Sequence, residues 1–241
     1  MVRQINHKLH GNIIPTNVYI QIGDTFKLNA GNFNLYLYTN DQECMKMKPP
    51  YRALELALGD AIVNGDFVYD IKSNRYNQIN PNVKFLQVDS RTEFTNIVLY
   101  YFNKIKKCGK SSIDLFNFTG HGWKTQIIMD YDLSQGEGKN NPENYIDKLT
   151  MAYLHDINGI NIKEFNFACC YTAGKVSKNL NFAEFCAKHY KAKSKGGVGA
   201  VGPCWGTAKD KKKLQGLKSP FADSNHPLLR NWAKGIVYDY S

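Results

Sequence analysis

From Val83 onward, short apolar runs alternate with amphipathic stretches, and this alternation constrains the fold more than any other feature of the chain. Val83–Val88 reads as a strand. Arg91–Lys107 reads as a helix, with Phe94, Ile97, Val98, Tyr101, Phe102 and Ile105 on one face and Ser90 in the N-cap position. Ile113–Phe118 is an apolar strand that runs into Thr119-Gly-His-Gly122. A helix is expected over Tyr145–Asp156, a strand over Phe165–Cys169, a helix over Asn181–Lys191 and a small-residue strand over Val198–Gly202. Upstream, Asn17–Ile22 and Asn34–Tyr38 have strand character. Tyr51–Val63 has a helical spacing behind Pro49-Pro50, and the polar stretch up to Asn82 suggests a loop with room for a small hairpin. Strands that alternate with helices predict an α/β three-layer sandwich with a mostly parallel central sheet. The chain divides into an N-terminal extension, residues 1–32, and one domain over residues 33–241.

The bulk properties fit that fold. The 241 residues are 43% hydrophobic and 22% charged, enough apolar surface for a sizeable core. Six cysteines stand at 44, 108, 169, 170, 186 and 204, with no Cys-x-x-Cys pair and no histidine at zinc-finger spacing. Free thiols in a reducing compartment are the expectation, with no metal and no cofactor. The first residues lack an apolar signal core, and no apolar run is long enough to span a bilayer. The expected location is cytoplasmic, or secreted by a route that needs no signal peptide. The net charge of +10 is concentrated. Nine lysines between Lys188 and Lys218 face a single acid, Asp210, which makes a solvated basic face or a surface for an acidic partner or an anionic membrane. Nucleic acid is not expected, because no aromatic-interleaved motif accompanies the lysines.

In parallel sheets, functional residues collect beyond the carboxyl ends of the strands. His121 and Cys170 each sit at such an end. An imidazole beside a thiol favours the thiolate or takes its proton, and later protonates a leaving amine. Backbone N–H groups must hold the developing oxyanion. Gly122, without a side chain, is one candidate donor and Cys170 the other. Strand alternation lets only one of Cys169 and Cys170 face His121.

Three segments carry a family resemblance. Asp114-Leu-Phe-Asn-Phe-Thr-Gly-His-Gly122 resembles the apolar strand and His-Gly of the caspase-like clan of cysteine peptidases, which includes caspases, metacaspases, legumains, clostripain, separases and CHAT domains. Phe165-Asn-Phe-Ala-Cys-Cys-Tyr-Thr-Ala173 resembles its second strand with the terminal Cys. Gly196-Gly-Val-Gly-Ala-Val-Gly-Pro-Cys-Trp205 is similar to the glycine-rich strand and Trp of CHAT-type members. The segments come in the clan's order over about residues 83–206, and Cys170 follows His121 by 49 residues. The resemblance implies a caspase-like fold and peptide-bond hydrolysis by a His121–Cys170 dyad. It also favours Cys170 over Cys169, because Tyr171-Thr172-Ala173 matches the residues that follow the clan's nucleophile. Papain-like enzymes and class I glutamine amidotransferases place Cys before His, the reverse of the order here.

Specificity is less defined. Ala168 stands where Arg/Lys-specific relatives often carry Asp, so the resemblance implies no basic-residue preference. Ala168, Trp205 and Asp130 are candidate lining of a substrate pocket, and Trp123 is a candidate cover. Asp114 is a candidate helper on the His-bearing strand. His7, His10, His155, His189 and His226 have no partners at ligand or catalytic spacing along the chain. The expected partner is a polypeptide substrate. Two alternatives share the fold: a cysteine acyl-transferase or amidase acting as an effector or toxin, and an inactive binding module that uses the basic segment.

Overall fold

The computed structural model describes residues 20–21, 31–39, 52–70, 72, 75–129, 141–199 and 235–241. The main sheet follows the alternation in the sequence. Its strands are β2 (Asn34–Thr39), β5 (Val83–Val88), β6 (Ile113–Trp123), β9 (Ile162–Cys169), β10 (Lys193–Gly197) and β11 (Gly235–Asp239), in the spatial order β5-β2-β6-β9-β10-β11. All neighbours in that row are parallel except β10 and β11. The chain order along the row reverses once, at β2, so the gap between β2 and β6 is a topological switch point. Two short strands, β7 (Gln126–Ile128) and β8 (Tyr145–Asp147), extend β6 as an antiparallel arm. A second, three-stranded sheet joins β1 (Ile20–Gln21), β4 (Arg75–Gln78) and β3 (Phe67–Asp70), so part of the expected N-terminal extension pairs with the hairpin before β5.

The pleat sorts the side chains into two faces. On one, Leu35, Leu37, Phe116, Phe118, Phe165 and Phe167 build an aromatic and aliphatic core. Helix α2 (Arg91–Lys107) packs there through Phe94, Val98, Phe102 and Ile105, and Phe94 meets Phe116 and Phe118 edge-on at 5.8 and 6.0 Å. The start of α2 is set by Ser90, whose Oγ accepts the Glu93 N–H at 3.1 Å. Helix α4 (Phe182–Tyr190) packs on the same core, capped by the Asn181 side chain on the Glu184 N–H at 2.9 Å. Helix α1 (Arg52–Val63) lies against β2 and β6 and buries Ala57, Leu58, Asp60 and Ala61 on the opposite face. The arrangement is mixed α/β with a mostly parallel central sheet flanked by helices, compatible with a three-layer sandwich. No helix among the described residues is long and apolar enough to cross a membrane.

Three expectations need correction. β6 does not stop at Phe118 but continues through His121 to Trp123, because β7 supplies a new partner for its last residues. The helix expected over Tyr145–Asp156 is three elements: β8, a five-residue helix α3 (Lys148–Ala152) and a π-turn over Tyr153–Ile157. Pairing of Ile146 with Ile127 holds the first residues extended, and Asp147 caps α3 by accepting the Thr150 N–H at 2.8 Å. The strand expected over Val198–Gly202 lies earlier, at Lys193–Gly197; residues 198–199 bend, and residues 200–202 fall outside those described.

β10 was hidden by its polarity. Lys195 is buried, only 5% exposed, under α1. Across the sheet it registers with Asn166, which registers with Asn117, which registers with Tyr36. Asp60 of α1 is fully buried over this polar row. Burial pushes its carboxyl well up, against the pull of Lys195, Asn166 and Asn117. Burial likewise pushes the Lys195 ammonium down, to about 6, against the attraction of Asp60. The basic segment is correspondingly thinner than the sequence implies: Lys188, Lys191 and Lys193 are exposed but Lys195 is not.

Removing one member of this pair leaves a buried group without its counterpart, which costs about 3–5 kcal/mol. Lys195→Met and Asp60→Leu are each expected to destabilise by that order. The double variant is expected to lose clearly less than the sum in urea unfolding; strict additivity means the groups are not coupled.

Candidate active site

The register decides how His121 and Cys170 meet. β6 and β9 pair in parallel from Ile113↔Ile162 to Gly120↔Cys169. His121 is the next residue of β6 and Cys170 is the first residue of the turn that follows β9, so the register brings both to the carboxyl end of the paired strands. The pleat then assigns faces. Phe116 and Phe118 point to the α2 core, so Asn117, Thr119 and His121 point to the α1 face. Phe165, Phe167 and Cys169 also belong to the α2 core, so Asn166 and Ala168 point to the α1 face, and the same alternation carried one residue past β9 turns Cys170 that way. His121 and Cys170 therefore share a face, and Cys169 is turned away from both.

The two cysteines differ accordingly. Cys169 is fully buried and its Sγ lies 3.6 Å from the Phe118 carbonyl oxygen. Burial first, and the adjacent Cys170 second, push its thiol well above the ordinary range, so it stays protonated and unreactive. Cys170 is partly exposed. His121 is partly exposed as well.

Gly122 supports the site through what it lacks. A Cβ there would lie 2.7 Å from the Cys169 Cβ, 2.9 Å from the Cys170 carbonyl oxygen and 3.0 Å from Thr172 Cγ2. Only glycine lets the end of β6 come this close to the turn after β9. The direction of its N–H follows from the hairpin. Lys124 and Thr125 form a two-residue turn closed by the pair Trp123–Gln126, which exchanges hydrogen bonds. The next pair, Gly122–Ile127, is then a non-hydrogen-bonded one, and the Gly122 N–H is turned away from β7.

The turn after Cys170 is braced on three sides. Tyr171 has φ 59°, a left-handed conformation that costs a non-glycine residue about 1–2 kcal/mol. Its N–H donates to the Gly199 carbonyl at 2.9 Å, and the Ala173 N–H donates to Gly197 at 2.9 Å. Thr172 Oγ1 donates back to the Cys169 carbonyl at 3.2 Å, and the Ala183 N–H at the start of α4 donates to the Thr172 carbonyl at 3.0 Å. Gly196 permits this closure, since a Cβ there would lie 2.5 Å from Thr172 Oγ1. The Tyr171 ring packs on Trp123, centroids 5.2 Å apart, and Trp123 stays 50% exposed beside the site.

Other candidates fall elsewhere. Ala168 is buried on the α1 face, below Cys170 on β9. Asp130 and Trp205 lie outside the described residues. Asp114 sits at the opposite end of β6 from His121. There burial raises its carboxyl, but Lys163 at 2.6 Å, the Phe33 N–H and Lys110 outweigh burial and hold it below the usual range. It serves the amino end of the strand, not the dyad. The sequence also missed an association: His155 and His189, which have no partners at useful spacing along the chain, both reach Asp156. No motif signals it, because α4 and the π-turn meet only through the tertiary packing.

Differential alkylation of the native protein checks this geometry. Cys170 and the exposed Cys108 are expected to react with iodoacetamide, while Cys169 and Cys186 react only after unfolding. Labelling of Cys169 at a rate like that of Cys170 contradicts the face assignment. Gly122→Ala is expected to destabilise by about 1–3 kcal/mol through overpacking, read as a lower denaturation midpoint.

Comparison with protein-family models, with curated proteins and with solved structures finds no match to this chain.

Proposed function

We propose that the chain is a cysteine endopeptidase of the caspase-like kind, with His121 and Cys170 as its catalytic dyad. One observation carries the reading: the parallel register of β6 with β9 brings the His121 imidazole to the same carboxyl end as the partly exposed Cys170 thiol, which follows β9 directly, while the neighbouring Cys169 thiol is buried in the α2 core. The segment resemblance and the mostly parallel sheet support it further. So does the location, at the carboxyl edge one strand from the switch point, where α/β sheets build their sites.

In the first half-reaction, Cys170 Sγ attacks the carbonyl carbon of the scissile bond and its proton passes to His121. The N–H groups of Gly122 and Cys170 hold the oxyanion. The C–N bond then breaks, the amine leaves with the proton carried by His121, and the acyl group stays on sulfur as a thioester. In the second, water loses a proton to His121 as it adds to the thioester. Collapse releases the carboxylic acid, and the proton returns to Sγ. A backbone turn braced by β10 and α4 keeps the nucleophile in place through both steps, so little reorganisation accompanies either.

The exposed Trp123 ring, packed on the partly buried Tyr171 ring beside the dyad, suits an extended peptide that lays apolar or planar groups across it. The exposed lysines Lys188, Lys191 and Lys193 offer an acidic partner a place to approach.

A peptide-library cleavage profile tests the reading. Cys170→Ala and His121→Ala are each expected to lower turnover on the order of 10³-fold or more, with new amine termini appearing only in the wild-type digest. Wild-type rates in Cys170→Ala, or a product with no new amine terminus, sink the peptidase assignment; the latter points instead to acyl transfer or deamidation by the same dyad.

A further inference from the structure

At the amino end of the sheet, opposite the dyad, three side chains converge that the proposed reaction does not use. His155 Nδ1 lies 2.8 Å from Asp156 Oδ1, and His189 Nε2 lies 2.9 Å from the same oxygen. One donor atom from each of the three residues lies within 4.8 Å of the others. We propose that His155, Asp156 and His189 form a binding site for a divalent transition-metal ion, Zn2+ by ligand type.

The ligand set suits that ion. Two imidazole nitrogens and one carboxylate oxygen form a common three-ligand set for zinc and leave a fourth position open. Bonds of about 2.0–2.1 Å in a tetrahedral site separate ligand atoms by about 3.3–3.4 Å. The two nitrogens therefore need to draw back from Asp156 Oδ1 by about 0.5 Å, a shift that small side-chain rotations supply.

The backbone is shaped for the same end. In a regular α-helix, consecutive residues project in different directions and do not meet. His155 and Asp156 are consecutive, yet both reach one point, and they lie within the π-turn Tyr153–Ile157. Such turns are rare and occur often at functional sites. The turn is closed by the Gly159 N–H on the His155 carbonyl and the Ile160 N–H on the Leu154 carbonyl, at 2.9 and 3.1 Å.

Both imidazoles are held in orientation. The His155 ring packs against Tyr190 at 4.7 Å, and the His189 ring stacks on Phe185 at 5.0 Å with planes 17° apart. Tyr190 in turn donates its hydroxyl to the Met151 carbonyl at 2.7 Å, tying α4 to α3. A cavity of about 590 Å³ opens beside the cluster, lined by both histidines with Lys163, Lys191 and Tyr190. The open coordination position thus faces a space with two cations in its wall, suited to a small anion or carboxylate as exogenous ligand. Bound metal would join the last turn of α4 to the π-turn and stiffen the base of that helix.

The test uses the full chain stripped of metal with a chelator, in a Cys170→Ala background so that the dyad cannot compete, and Co2+ alone as the spectroscopic probe. One equivalent is expected to bind, with visible ligand-field bands of a nitrogen–oxygen site and without a sulfur-to-cobalt charge-transfer band. Zn2+ is expected to displace it. His155→Ala, His189→Ala and Asp156→Asn are each expected to weaken binding by about 100-fold or more, since even an outer-sphere partner is worth about 10–100-fold. In the variant-free measurement, Zn2+ is expected to shift the imidazole resonances of His155 and His189 and leave that of His121 unmoved. Absence of binding, binding that the three substitutions do not weaken, or a thiolate charge-transfer band overturns the proposal. None of these outcomes bears on the peptidase reading, because the binding measurements are made without Cys170 and the resonances that must move belong to residues outside the proposed dyad.

Discussion

The parallel register between β6 and β9 is the constraint on which the rest of the structure depends. Side chains repeat every two residues along a strand, so a slip of one residue would exchange the two faces. Here the slip would set Asn117 and Asn166 among the phenylalanines of the α2 core and carry Phe116 and Phe165 into the polar row under Asp60. Both exchanges bury polar groups without partners and strand apolar ones. The register is therefore enforced twice, by an aromatic face and by a polar one. That double enforcement fixes where the ends of β6 and β9 bring His121 and Cys170.

The same edge of the sheet is organised by close approach. Gly122 and Gly196 allow β6 and β10 to press against the turn that carries Cys170, and any side chain at either position would part them. Tyr171 accepts a left-handed backbone at a cost of about 1–2 kcal/mol, offset by its N–H bond to Gly199, the bond from Ala173 to Gly197 of β10 and the tilted packing of its ring on Trp123. Strain of this kind persists only where surrounding structure over-determines it, and such places are commonly functional. At the other end of the sheet, the π-turn at Tyr153–Ile157 departs from helical regularity and brings a carboxylate between two imidazoles. The left-handed turn at Tyr171 and the π-turn are thus both places where reactive side chains gather.

Much of the fold was legible because local and tertiary signals agree. Val83–Val88 and Arg91–Lys107 have the observed bounds: the strand is a short, mostly apolar segment with valine at each end, and the helix has an N-cap, an apolar stripe and basic residues in its last turn. α4 was legible for the same reasons. β10 was not, because Lys193-Ser-Lys195 contains no apolar residue and becomes a strand only by pairing with β9 and burying Lys195 beneath Asp60. Residues 145–157 misled because their helical spacing is real for α3 but is overridden at one end by pairing with β7 and at the other by the wider turn.

By itself, the sequence determined the alternation of strands and helices, the apolar strands that lead to His121 and Cys170, and, by period two, that only one of Cys169 and Cys170 can face the histidine. These follow from periodicity and short-range order, which a linear chain carries in full. Tertiary structure alone decided which cysteine that is in physical terms, by burying Cys169 against Phe118 and leaving Cys170 open. It alone made Lys195 a core residue and gathered His155, Asp156 and His189 from separate elements. The reason is the same in each case: burial and proximity between residues distant along the chain depend on which faces pack together, and that is a property of the sheet and its helices, not of any segment within them.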